Sequence, residues 1–271
     1  MTKKKIVKAD TPETAEKAVK VSKVVEDNVE KTTESAAEKP AAKVFKPTDE
    51  NKKKATQFRI IAGILWAIAI GLEIFAIMQL RKTPINLGLI IGLLIVDAIF
   101  AIGGSLLWKQ ANRLDPASEK DKVRFFVQNQ LGFIVGIIAF LPLIVLMLTN
   151  KDMDGKQKGI ATTVAVIALA IVSAFGLDFN PASIEKYTEE TALVESLMGD
   201  DAVFWTKSGR VYHLFDDCYT INSDRTDEII TGKVSQAYEL RNIEEICKIC
   251  LKRAQAGTTA HVEDGGHDHH H

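Results

Sequence analysis

The stretch FRIIAGILWAIAIGLEIFAIMQL, residues 58–80, decides the architecture. Between Arg59 and Arg81 its only ionisable side chain is Glu73. As a helix, the part from 60 to 80 is long enough to cross a hydrocarbon core of about 30 Å. Three further runs have the same character: LGLIIGLLIVDAIFAIGGSLLW at 87–108, FFVQNQLGFIVGIIAFLPLIVLML at 125–148 and GIATTVAVIALAIVSAFGL at 159–177. One such run also suits the buried helix of a soluble protein. Four of them, separated by short polar loops, do not. The expectation is an all-α membrane four-helix bundle over residues 58–177, in contact with a lipid bilayer.

Whole-chain averages conceal this. A chain of 271 residues with 46% hydrophobic residues, 25% charged residues and a net charge of −1 looks like a soluble protein. Those values exclude a collagen-like chain, a wholly disordered chain and a strongly basic nucleic-acid binder. The charge lies outside the apolar runs. Residues 1–57 hold fourteen Lys and ten Asp or Glu, a single aromatic residue, Phe45, and no glycine. Such a segment buries too little apolar surface to offset its chain entropy, so it reads as a disordered charged arm. Its start, MTKKKIVKAD, runs into TPETAEKAVK and not into the apolar centre of a signal peptide. Val21, Val25 and Val29, with the pairs Glu16/Lys20 and Asp27/Lys31, also allow a transient or partner-bound helix.

Loop charges set the topology. Lys52, Lys53, Lys54 and Arg59 precede the first span, and Lys109, Arg113, Lys120, Lys122 and Arg124 lie between the second and third. The opposite loops carry Arg81 and Lys82, then Lys151, Lys156 and Lys158. Nine against five places both termini in the cytoplasm of a multi-pass plasma-membrane protein. Gly63, Ala67 and Gly71, Gly88 and Gly92, and Gly132 and Gly136 recur every four residues, as helix-packing rows in lipid do. Such rows fit a compact bundle and also allow a homo-oligomer. Pro142 is a candidate kink. Gln128, Asn129 and Gln130 suit interhelical hydrogen bonds or, more boldly, a substrate path.

Glu73 and Asp97 are intramembrane acids, and the spans hold no Lys or Arg to pair with them. Ionisable groups in a bilayer are functional hypotheses by default. One reading is a proton or cation path in a small transporter or channel. The other is a pair of protonated carboxyls that hydrogen-bond across the helix interface to Thr162, Thr163 or Ser173. The chain shows neither the repeats nor the broken helices of a dedicated transporter, which favours the packing role.

After the spans, Asn180-Pro181 offers a helix start, and Ile184, Tyr187, Val194 and Met198 share one helical face. Residues 178–199 are thus an amphipathic connector. Residues 200–254 read as a small α+β module. VFWT and VYHL flank KSGR as a β-hairpin with Ser208-Gly209 at the turn, and SQAYELRN reads as a helix with Ser235 as N-cap. Residues 255–271 form a low-complexity tail. Its His267, His269, His270 and His271 suit loose metal binding, a solvated end or an appended tag.

All three cysteines of the chain, Cys218, Cys247 and Cys250, lie in the small module, together with His213. Three cysteines are too few for a disulfide framework. The pattern H-x4-C followed by C-x2-C matches a tetrahedral Cys3His zinc site, in which each short spacing lets two donors from one turn chelate one ion. A cytoplasmic location keeps the thiols reduced. A metal also supplies folding energy that a core of about 55 residues lacks. The alternative is that the cysteines are small buried hydrophobes and His213 is a surface residue. Four protein ligands would leave no position for an activated water, so a structural zinc is expected over a catalytic one. The C-x2-C pair lacks the βαβ context of a thioredoxin-type motif. Ten acids against eight bases in residues 200–254 give no electrostatic footprint for nucleic acid.

WTKSGRVYHLFDDCYTIN (205–222), EIITGKVSQA (228–237) and CKIC (247–250) resemble small zinc modules at the ends of some bacterial membrane proteins and nucleases. Tyr212-His213, Cys218, Ala237, Cys247 and Cys250 carry the resemblance. It covers about a fifth of the chain and implies metal binding, not an activity. No nuclease motif accompanies it. The four-span part resembles uncharacterised bacterial membrane proteins in architecture alone. The expected function is that of a non-enzymatic membrane protein displaying a structural zinc module to a cytoplasmic protein partner. Two alternatives stay open: the transporter or channel built on Glu73 and Asp97, and a metal or redox sensor built on the Cys3His site.

Overall fold

The computed structural model describes residues 5–9 and 44–263, with side chains to residue 256. The chain divides into two compact units, Val44–Thr188 and the pair of segments Met1–Lys43 and Glu189–His271.

The first unit is a bundle of four long helices: α1 (Asp49–Leu80), α2 (Leu87–Leu114), α3 (Lys122–Thr149) and α4 (Gly155–Gly176). Each is long and apolar enough to cross a membrane. Each begins at a polar side chain that caps a free backbone N–H: Thr48, Asn86, Asp121 and Asp154. α3 runs through Pro142 without interruption. Many large apolar side chains, such as Ile64, Ile99, Leu141 and Ile167, are exposed on the outside of the bundle, as contact with lipid requires.

Helix packing departs from the glycine rows. Gly63, Ala67, Gly71, Gly88 and Gly92 lie on exposed faces, and a side chain at Gly63, Gly71 or Gly92 would meet nothing within 4 Å. The seam of α1 is instead Ala55, Ala62, Ala69 and Ala76, seven residues apart, interleaved with Trp66, Glu73 and Leu80. In α2 the matching seam is Ile90, Leu94, Asp97, Ala101, Gly104 and Ala111. Alternating three- and four-residue steps are the heptad signature of helices that stay in register with a partner over many turns. A side chain bulkier than alanine at Ala62, Ala69 or Ala76 would push the helices apart. A close backbone approach lies elsewhere, between α3 and α4. A Cβ on Gly176 would lie 2.7 Å from the Phe133 nitrogen and 2.8 Å from the Gly132 carbonyl carbon. Gly136 also lies on this packed face, where a Cβ would press on Val172.

Polar groups tie the other end of the bundle. Arg59 donates to an Asp115 carboxylate oxygen at 2.7 Å and to the Asp115 carbonyl at 3.0 Å. Trp108 Nε1 and Asn112 both donate to the Gln128 carbonyl, and Asn112 also donates to Asn129. The Gln130 amide donates to the Asp178 carbonyl at 3.1 Å. Gln128, Asn129 and Gln130 therefore serve interhelical hydrogen bonding.

The charged arm ends sooner than its composition predicts. Residues 49–57 belong to α1, because Thr48 caps the helix, Lys54 pairs with Glu50 at 2.6 Å, and Ala55 is buried against Ala111 and Leu114. Residues 10–43, with Val21, Val25 and Val29, lie outside the described residues.

Helix α5 (Ile184–Met198) crosses the division between the units. It starts at Ser183, whose hydroxyl accepts from the Lys186 N–H at 3.0 Å, so Asn180-Pro181 precedes the helix instead of opening it. Within the first unit Tyr187 donates to the Arg113 carbonyl and packs edge-on against Phe45. The helix stops before Gly199, whose φ of 84° suits glycine.

In the second unit β4 (Glu228–Lys233) is the central strand of three. β2 (Ala202–Trp205) pairs with it antiparallel and β1 (Lys5–Lys8) parallel. The first residues of the arm are thus a strand. The open edge of β4 offers Ile6 and Val7 backbone partners, and that gain outweighs the low apolar content of KIVK. The hairpin is present in short form. Phe204 and His213 exchange both backbone hydrogen bonds, at 2.8 and 2.7 Å, and Gly209 N–H donates to the Thr206 carbonyl at the turn. α6 (Val234–Arg241) opens with Lys233 N–H donating to the Gln236 side chain, which leaves Ser235 inside the helix. It closes at Asn242 in the left-handed conformation.

Candidate metal centre

Two short pairings assemble the site. β3 (Val211–Tyr212) pairs in parallel with β5 (Glu245–Ile246), and the Cys247 N–H donates to the Tyr212 carbonyl at 2.8 Å. His213 follows β3 and Cys247 follows β5, so these contacts set the H-x4-C arm beside the C-x2-C arm. Tyr212 is buried, and its hydroxyl donates to Glu190 of α5. Burial, and then Glu190, hold that phenol above its ordinary value, so it remains a donor. Cys247 stands at the start of α7 (Lys248–Glu263), and Cys250 lies in its first turn. Cys218 sits in the tight loop after His213, where its carbonyl accepts from the Ile221 and Asn222 N–H groups. That loop is held to α7 by Arg253, which donates to both Asp217 carboxylate oxygens and stacks over Phe215. Asp217 is thereby engaged away from the cluster.

All four predicted ligands converge. The donor atoms of His213, Cys218, Cys247 and Cys250 lie within 4.8 Å of one another, and each residue is no more than 6% exposed. A regular zinc tetrahedron, with Zn–S of about 2.3 Å and Zn–N of about 2.0 Å, separates sulfurs by about 3.8 Å and sulfur from nitrogen by about 3.5 Å. The Cys250 Sγ to His213 Nδ1 distance of 3.7 Å fits it. His213 therefore presents Nδ1 to the site. The donor set is three soft sulfurs and an imidazole, which suits zinc over hard cations.

Electrostatics agree with a cation at the centre. Burial opposes charge on Cys247, yet N–H groups of Cys250 and Ile249 and the Thr220 hydroxyl outweigh it and hold the thiol below its ordinary value. Burial pushes Cys250 up to about 12. That thiol stays protonated unless a metal supplies the compensating charge. Burial also lowers His213, which keeps the imidazole in its neutral, ligating form.

Sequence reading missed Thr220. Its hydroxyl lies 3.1 Å from Cys218 Sγ, 3.5 Å from His213 Nδ1 and 3.6 Å from Cys247 Sγ. A hydroxyl two residues beyond a candidate thiolate was the available signal. A cavity of about 510 Å³ is lined in part by His213, Thr220 and Cys247, giving the cluster one solvent-facing side.

The other predicted sites fare differently. Glu73 and Asp97 are both buried in the α1–α2 seam. Their expected hydrogen bonds are not formed. Asp97 Oδ1 and Oδ2, Glu73 Oε1 and the Thr162 hydroxyl have no partner among the described residues, and Thr163 is exposed. His267, His269, His270 and His271 lie outside the described residues.

Fold and site define a class: four membrane-length helices with a C-terminal strand-and-helix unit carrying a His/Cys cluster able to hold a metal ion. The chain matches no protein-family model, no curated protein and no solved structure.

Proposed function

We propose that the chain is a non-enzymatic bacterial inner-membrane protein that displays a structural zinc module to a cytoplasmic protein partner. The observation that carries this reading is the convergence of four buried ligand atoms within 4.8 Å of one another. Four protein donors complete the coordination of zinc and leave no site for an activated water, which supports a structural role. Within it, His213 Nδ1 and the three thiolates would hold the ion. The Cys250 and Ile249 N–H groups and the Thr220 hydroxyl would stabilise Cys247 as thiolate. The nine-to-five bias of basic loop residues supports cytoplasmic termini, where thiols stay reduced.

In-cell crosslinking of the full-length protein against a Cys247→Ser variant, compared at equal membrane abundance, tests the display. Partners captured by the wild type and lost from the variant are expected. An identical partner set in both would overturn it.

A further inference from the structure

The two buried acids sit opposite each other. α1 and α2 are joined by a short loop and pack antiparallel. Trp66 Nε1 donates to the Ala101 carbonyl, and the Trp66 ring lies against Gly104. Seven residues onward from Trp66 is Glu73, and seven back from Gly104 is Asp97. Equal steps along antiparallel seams bring the two carboxyls to one level, within electrostatic reach of each other.

That level is polar on all four helices. The Leu143 N–H of α3 donates to Glu73. Thr162 lies seven residues into α4 from Gly155, at the depth Glu73 has from Leu80 at the same end of the bundle. Its hydroxyl oxygen is buried and without a partner among the described residues. Glu73 is 4% exposed and Asp97 2%, and both Asp97 oxygens are likewise unpartnered. No other ionisable side chain occurs in residues 60–80, 87–108, 125–148 or 159–177. Two carboxylates cannot persist in a low-dielectric interior without positive charge beside them. The side-chain ligand atoms at this level are oxygens, which are ligands for protons and hard cations.

We propose that Glu73 and Asp97, together with Thr162, form an intramembrane site that holds protons and exchanges them for a hard cation. Charge balance sets the exchange. A divalent ion entering as Mg2+ displaces both carboxyl protons, and Na+ displaces one.

The test uses the full-length protein in neutral-lipid nanodiscs, weakly buffered, with a pH-indicator dye. MgCl2, NaCl or choline chloride is added at matched ionic strength. About two protons per chain are expected with Mg2+ or about one with Na+, and none with choline. The Glu73→Gln/Asp97→Asn variant, confirmed as folded by its helical circular dichroism and retained metal, should release none of these. If the double variant fails to fold, Asp97→Asn alone should lower the Mg2+-driven release from about two protons per chain to about one. Wild-type release no greater than with choline, or release that persists in the variant, would overturn the proposal.

Discussion

Replacing Thr220 by valine removes one hydroxyl and almost no volume. The hydroxyl lies 3.1 Å from Cys218 Sγ and 3.6 Å from Cys247 Sγ, and it has one proton to donate. Hydrogen bonds to a charged group contribute about 1.5–3 kcal/mol. Thr220 is exposed, so water replaces part of what the valine variant loses, and the lower figure applies. At about 1.4 kcal/mol per tenfold, zinc affinity should fall about tenfold, the low end for partners that support a metal ligand from outside the coordination sphere. Competition with a chromogenic chelator, on the full-length protein in detergent, reads this directly. Thr220→Ser keeps the hydroxyl and should stay within about twofold of the wild type. In the metal-free valine variant Cys247 holds less thiolate and should also be alkylated more slowly. A valine variant with wild-type affinity, or a serine variant as weak as valine, would refute the reasoning.

Acid should strip the metal. Three thiols must lose protons to bind, and metal-free Cys250 titrates at about 12, so each fall of one pH unit should weaken zinc binding by about ten- to a thousandfold. Affinity measured across neutral pH checks both sign and slope. Gly176→Val should destabilise the bundle by about 1–3 kcal/mol, because backbone and not a flexible side chain blocks the new atoms. Gly63→Val, on an open face, should leave unfolding in detergent unchanged. Deleting residues 1–9 should cost the second unit about 1–3 kcal/mol in lost strand pairing. Faster amide exchange at Ile229–Thr231 would show it, and unchanged exchange would contradict the pairing.

The four spans were legible because apolar runs longer than a bilayer is thick have few other uses. The His/Cys cluster was legible because chelate spacing is local, even though the two arms are 28 residues apart. What escaped was the choice of face. Gly63-Ala67-Gly71 and Ala62-Ala69-Ala76 are both small-residue rows on α1, and only the position of Trp66 against Gly104 selects the second. Strand β1 escaped because its partner is more than two hundred residues away and its own sequence is half lysine. Gly176 escaped because its partner, Gly132, lies on another helix. The early start of α1 turned on one cap and one buried alanine, Thr48 and Ala55, within an otherwise charged segment.

X-ray absorption at the zinc edge of the purified full-length protein tests the central claim most directly. The account predicts one zinc per chain with three sulfurs at about 2.3 Å and one nitrogen at about 2.0 Å, and loss of a sulfur neighbour or of the ion itself in Cys250→Ser. A protein purified under reducing conditions without bound metal, or an ion surrounded only by oxygen and nitrogen, would contradict it.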